Sequence, residues 1–177
     1  MQFIFIGLLI KLGAAPAHQW VPDVYAGASL KITFLFATFI KTLLFFLFWR
    51  FAINLNSSGE IEIAAGLSVI IGCYYSLRQK EIKRFLAYSS ITHTGFLLMG
   101  DILSAGLYLL LYIIAVILFF SVLFEYRIKE NLNNDIFYLT DLRYLNIADR
   151  PLHSLFLIVS LASMAGLPPF GGFYAKF

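Results

Sequence analysis

The sequence predicts an all-α protein, a polytopic bundle of transmembrane helices, on three observations. Of its 177 residues 60% are hydrophobic and only 13% are charged, a charged share about half that of an ordinary soluble domain. Mean hydropathy is +0.83. Several apolar runs approach the roughly 20 residues that cross a bilayer as a helix. A soluble fold would have to hide all of them in one small core. The whole of residues 1–177 therefore reads as a single membrane domain, with no soluble domain, linker or low-complexity tract.

The first apolar run, Phe3 to Leu12, meets Gly13-Ala14-Ala15-Pro16, where proline disfavours a continuous helix. A first broken helix is expected near residues 13–16, followed by a polar, aromatic loop from His18 to Tyr25. The start, Met1 to Ile10, lacks a basic leader and a clear small-residue cleavage site, so it reads as mature helix and not as a signal peptide. Uninterrupted spans are expected at about 31–52, 61–77, 84–100 and 104–125. A charged connection occupies 127–150, and its Asp135 to Leu145 stretch reads as a short interfacial helix. The last run starts near Leu152 and is broken at residues 166–172, Gly-Leu-Pro-Pro-Phe-Gly-Gly. This is the second broken helix.

Basic residues set the orientation. With alternating spans, and the loop at 78–83 on the negatively charged (matrix or cytoplasmic) side, that side collects Lys31, Arg78, Lys80, Lys83, Arg84, Arg127, Lys129, Arg143 and Arg150. The opposite side has Arg50 alone, with acidic Glu60, Glu62 and Asp101. The connection at 127–150 is thereby placed on the matrix side. A single cysteine, Cys73, excludes an internal disulfide and a thiolate cluster for zinc or iron–sulfur, and no glycine-rich phosphate loop is present. No metal site, no cofactor on this chain and no nucleic-acid partner are expected; membrane lipids are.

Three basic residues do not fit a loop: Lys11, Lys41 and Lys176. Lys41 lies about ten residues from one end of its span, roughly mid-bilayer at 1.5 Å per residue. An ammonium there costs about 2.5–3.5 kcal/mol even on the lenient insertion scale. Its stem is too short to reach either surface easily, whereas Lys11 and Lys176 lie beside the breaks, where snorkelling remains open. Taking an ammonium out of water disfavours its charged form. A unit charge about 4 Å away, worth roughly 4 kcal/mol at an effective dielectric near 20, then decides whether the proton is held. Such a lysine can load and release protons as its neighbours change charge. All ten acidic residues fall in loops or at span ends, and buried charges need partners, so the carboxylate facing Lys11 or Lys41 is expected from another chain.

His93, in Ser89-Ser-Ile-Thr-His-Thr94, is the imidazole well inside a span, and reads equally as a structural histidine or a proton relay. His18 and His153, at span edges, read as structural. Span 104–125 has no internal charge and reads as packing. Irregular backbone at membrane depth is tolerated only within protein or beside water-filled cavities. Paired interruptions point to transporter sites built from inverted repeats. Here each break has a lysine within a few residues.

Three stretches then resemble one family: Lys11-Leu-Gly-Ala-Ala-Pro-Ala-His-Gln-Trp-Val-Pro-Asp-Val-Tyr25, Ile82-Lys-Arg-Phe-Leu-Ala-Tyr-Ser-Ser90, and Ser160 to Phe177 with its Gly-Leu-Pro-Pro-Phe-Gly-Gly core. The chain resembles subunit 2 of NADH–ubiquinone oxidoreductase, respiratory complex I, called subunit N in bacteria. The Trp-Val-Pro-Asp-Val-Tyr wording and the lysine ending favour it over the larger antiporter-like relatives and over sodium/proton antiporter subunits. The resemblance implies an antiporter-like bundle in which Lys11, Lys41 and Lys176 translocate protons, His93 faces a hydrated axis and Lys83 belongs to a basic loop motif. It also implies coupling to quinone reduction elsewhere in the complex, with flavin and iron–sulfur clusters in partner subunits. The implied location is the mitochondrial inner membrane, with the bacterial plasma membrane as the alternative. Implied partners are the other membrane-arm subunits and at least one further chain that completes the subunit and brings a glutamate to Lys11. Two other readings stay open: a cation/proton antiporter subunit without redox coupling, and a non-conducting structural piece of the arm.

Overall fold

The structure is a computed structural model that describes residues 2–52, 58–130, 138–139, 151–168 and 170–174. Within them the chain runs α1 (Gln2–Leu12), α2 (Trp20–Gly27), α3 (Leu30–Leu35), a π-helical turn (Phe36–Ile40) and α4 (Lys41–Ala52). It continues with α5 (Ser58–Ser76), α6 (Ile82–Met99), α7 (Ile102–Glu130), α8 (Pro151–Ala165) and α9 (Gly171–Tyr174). The all-α expectation holds. The stretch Leu30–Phe51 and the helix Ile102–Glu125 are long and apolar enough to cross a membrane, and Leu152–Ala165 is a shorter apolar helix. Large apolar side chains face outward along the bundle, among them Phe39, Phe46, Ile63, Ile70, Leu107 and Ile158.

Both expected breaks are present, and they end their helices in the same way. Gly13 at φ 75° and Gly166 at φ 77° take the left-handed conformation that glycine adopts without penalty. Beyond them the Ala14 amide donates to the Leu9 carbonyl at 3.0 Å, and the Leu167 amide to the Ala162 carbonyl at 3.1 Å. Each is the six-residue ring of a Schellman cap. After the first break the chain differs from expectation. The polar, aromatic stretch His18 to Tyr25 is not a loop throughout, because α2 starts at Trp20. Pro22 is its third residue, inside the first turn where no intrahelical N–H bond is lost. The Trp20 indole N–H donates to the Ile10 carbonyl at 2.9 Å. The Ala15 amide donates to the buried Ser68 hydroxyl at 2.8 Å. The Ile10 carbonyl, which also accepts from the Gly13 amide at 3.1 Å, thus gains a second donor, and the Ala15 amide beyond the break finds the acceptor that a water-poor interior requires.

The most extensive packing is α5 against α6, and glycine makes it possible. A Cβ on Gly95 would lie 2.8 Å from the Ala65 carbonyl oxygen and 2.6 Å from a Val69 methyl; one on Gly72 would lie 2.9 Å from the Tyr88 carbonyl oxygen. Small residues at such crossings let helix backbones approach in a membrane, where no hydrophobic force drives them together. The main core lies between α2, α3, α6 and α7, with Leu30, Ala87, Ile91, Phe119, Phe120 and Leu123 almost fully buried.

Two further expectations change in detail. Helix α7 runs on to Glu130, past residue 127 where the charged connection was expected to start. The short helix expected from Asp135 to Leu145 lies outside the described residues except at Tyr138 and Leu139. There Tyr138 pairs with Glu81, and the Leu139 amide donates to the Lys80 carbonyl at 2.9 Å. The 78–83 loop and part of the 127–150 connection therefore meet.

Candidate functional site

Lys41 lies midway along the helical stretch from Leu30 to Ala52, immediately after the π turn. Threonines loosen the backbone here. Thr38 donates its hydroxyl to the Phe34 carbonyl at 2.7 Å, and Thr42 to the Phe39 carbonyl at 2.7 Å. Such back-bonding competes with the helical ladder, and π turns concentrate at functional positions. The Lys41 side chain is buried. Its ammonium donates to the Ser90 carbonyl on α6 at 2.6 Å and sits over the Tyr112 ring of α7, 4.7 Å from the centroid. A carbonyl dipole and a π face thus take the place of a carboxylate around this amine.

His93 lies one turn beyond Ser90 on α6, buried. Its Nδ1 shares a 2.5 Å hydrogen bond with the Tyr108 hydroxyl, and its ring lies 4.7 Å from that of Tyr112. Tyr112 therefore touches both Lys41 and His93. Helix α7, expected only to pack, supplies two site residues. The signal was available: two tyrosines at i and i+4 share one face of an otherwise apolar span.

Lys11, in the last turn of α1, is exposed, yet it shares a small cavity of about 30 Å³ with Lys41, Tyr25, Trp20 and Ser90. That is room for a single water. A second cavity of about 180 Å³ is lined by His93, Tyr108, Tyr112, Ser163, Phe170 and Gly172, so it reaches the second broken helix. His93 also borders a larger cleft of about 460 Å³ with the polar side chains of Ser76, Ser89 and Thr92. The structure thus brings Lys11, Lys41 and His93 into one series. Lys176 lies outside the described residues.

Lys83 stands apart from that series. Buried in the first turn of α6, it donates to the Ala28 carbonyl at 2.7 Å. Ala28 is the C-cap of α2, so the ammonium sits at the negative end of that helix. His18 accompanies the first break, its Nδ1 3.1 Å from the Pro16 carbonyl. His153, on α8, has its Nε2 against the Glu125 carboxylate of α7, a partnership that spacing along the chain did not reveal. Among the described residues no group of three or more His, Cys, Asp or Glu is placed to hold a metal ion.

A family model described as NADH:quinone oxidoreductase/Mrp antiporter, transmembrane, matches residues 1–177. The chain belongs to this family. It is 36% identical over 181 residues to NADH-quinone oxidoreductase subunit 14 of Thermus thermophilus, covering 100% of this chain and 40% of that protein. Subunit N of Ruthia magnifica is 34% identical over 190 residues, with 100% and 38% covered. The chain thus spans about two fifths of the length of these relatives. Among solved structures, a chain of respiratory complex I from Thermus thermophilus with bound aureothin superposes with a TM-score of 0.79 at 36% identity, covering 97% of this chain and 39% of that one. A chain of the Mrp complex from a Dietzia species superposes at 0.81 with 21% identity, covering 97% and 34%, a likeness of fold alone. The antiporter-like bundle with two broken helices is therefore the family architecture, and the chain is a membrane-embedded, multi-pass one.

Proposed function

We propose that this chain is a proton-translocating section of the membrane arm of an NADH:quinone oxidoreductase. One observation carries the reading: Lys41 is held mid-span on the Ser90 carbonyl and the Tyr112 ring, sharing a water-sized cavity with Lys11 and one ring away from His93. An ionisable side chain in a water-poor span is expensive to place there, and such residues mark functional sites. Lys11, Lys41 and His93 form successive proton positions, with Lys176 assigned to the same path on the family motif. Lys83 serves the path by fixing the end of α2. Helices outside these 177 residues supply the acid that faces Lys11, since none of the described carboxylates lines its cavity.

Quinone reduction in partner subunits drives the charge changes, and flavin and iron–sulfur clusters reside there. This chain carries no redox centre. Its partners are the other membrane-arm subunits, further helices completing the subunit, and lipid. The mitochondrial inner membrane is the proposed location, on the compositional ground of 19 phenylalanines in 177 residues; the relatives named above are bacterial, and the bacterial plasma membrane is the alternative.

The second reading, a cation/proton antiporter subunit without redox coupling, is favoured by the shared family description. Purification of the native assembly through this chain separates the two. Co-purifying flavin and iron–sulfur absorbance supports the first reading. A membrane complex without either chromophore overturns it.

A further inference from the structure

Two cavities have walls that meet where Lys41 lies over the Tyr112 ring. The smaller, about 30 Å³, holds Lys11, Lys41 and Ser90 in its wall but not Tyr112 or His93. The larger, about 180 Å³, holds His93, Tyr108 and Tyr112 but not Lys41. Lys41 in the wall of the first and Tyr112 in the wall of the second touch, ammonium over ring at 4.7 Å. His93 packs against the same ring with centroids 4.7 Å apart and planes inclined by 48°. Tyr112 is buried at the core between α6 and α7, so its ring is in place when the Lys41 contact is made. An aromatic face offers no proton acceptor of useful basicity, and a proton cannot cross it as it crosses a water chain.

We propose that Tyr112 is a gate, a positioning residue whose ring closes the direct route between the Lys41 and His93 sites and holds the Lys41 amine on the Ser90 carbonyl. The attraction of ring and amine exists only while the amine carries its proton. Closure is therefore linked to occupancy of Lys41. Rotation of the ring away from this contact joins the cavities and lets water bridge the two sites. The function of the gate is to prevent protons from running back through the series between driven steps. This rests on the proton-conducting reading.

The test uses the complete assembly in sealed vesicles, with Tyr112→Phe, Tyr112→Leu and Lys41→Met compared with wild type. Two quantities are read: proton uptake per NADH oxidised, and decay of an imposed pH gradient without substrate. Tyr112→Phe keeps the face and is expected to hold the gradient. Tyr112→Leu fills most of the volume without a face, and is expected to lose the gradient severalfold faster and to pump less per NADH. A tight, fully coupled Tyr112→Leu overturns the gate. So does a Tyr112→Phe as leaky as Tyr112→Leu, since the hydroxyl would then carry the effect. Should Tyr112→Leu not assemble, Tyr112→Met, also without a face, is read by the same criterion. Lys41→Met separates the two levels: normal pumping there refutes the conducting reading itself, whereas lost pumping beside a tight Tyr112→Leu refutes the gate alone.

Discussion

Replacing Lys41 by methionine removes the ammonium and keeps an unbranched apolar chain in its place. The contributions to stability nearly cancel. Placing the ammonium mid-span costs about 2.5–3.5 kcal/mol. Against this, a hydrogen bond from a charged donor, here the 2.6 Å bond to Ser90, contributes about 1.5–3 kcal/mol. The ring of Tyr112, at 4.7 Å, adds about 2 kcal/mol where both groups are desolvated. The balance runs from about zero to about 2.5 kcal/mol in favour of the lysine, and the Ser90 carbonyl left behind is part of helix α6. Lys41→Met is therefore predicted to assemble and to lose no more than about 2.5 kcal/mol against wild type. Lys41→Ala opens a cavity as well and should lose about 2–5 kcal/mol. Thermal unfolding of the detergent-solubilised complex, with yield of assembled complex alongside, measures both. A Lys41→Met variant that fails to assemble, or is less stable than Lys41→Ala, would show the lysine to be structural and refute the reasoning.

Other consequences concern neighbouring residues. His93→Gln retains hydrogen bonding to Tyr108 but cannot take up a proton, so proton uptake at neutral pH should slow in part; an unchanged rate across a pH series returns His93 to a structural role. Lys83→Met removes the charged donor to Ala28 at the end of α2 and should cost about 1.5–3 kcal/mol, read as a lower unfolding temperature; no change would mean the cap contributes nothing. Gly95→Val drives methyls into the Ala65 carbonyl and Val69. Overpacking of this kind costs about 1–3 kcal/mol or more, so less complex should accumulate, and a wild-type yield would contradict the tight α5–α6 contact.

The helices were legible where their apolar runs exceeded the membrane thickness, and both breaks were legible because glycine and proline leave few backbone choices. Helix α2 was not, since His18, Gln19 and Pro22 read as loop residues; the Trp20 bond to the Ile10 carbonyl is a tertiary contact that no local pattern announces. The π turn was equally hidden, although Thr38 and Thr42 beside Lys41 were a signal of a weakened ladder. Charge in the wrong place pointed directly to Lys41. Its surroundings did not follow, because an uncharged α7 gives no hint that its tyrosines meet the lysine and His93. Lys83 was counted among loop charges for orientation, and only the packing of α2 on α6 shows it bound to a helix end. The pairing of His153 with Glu125 likewise needs α7 and α8 side by side.

The measurement that bears most directly on the central claim is proton uptake per NADH oxidised by the purified complex in liposomes, wild type against Lys41→Met and Lys41→Arg. Electron transfer to an artificial acceptor is recorded in the same preparation to show that the redox arm is intact. The account predicts that both variants oxidise NADH and translocate fewer protons per turnover, the arginine variant included, because arginine does not release its proton in this range. Full wild-type stoichiometry in Lys41→Met would contradict it.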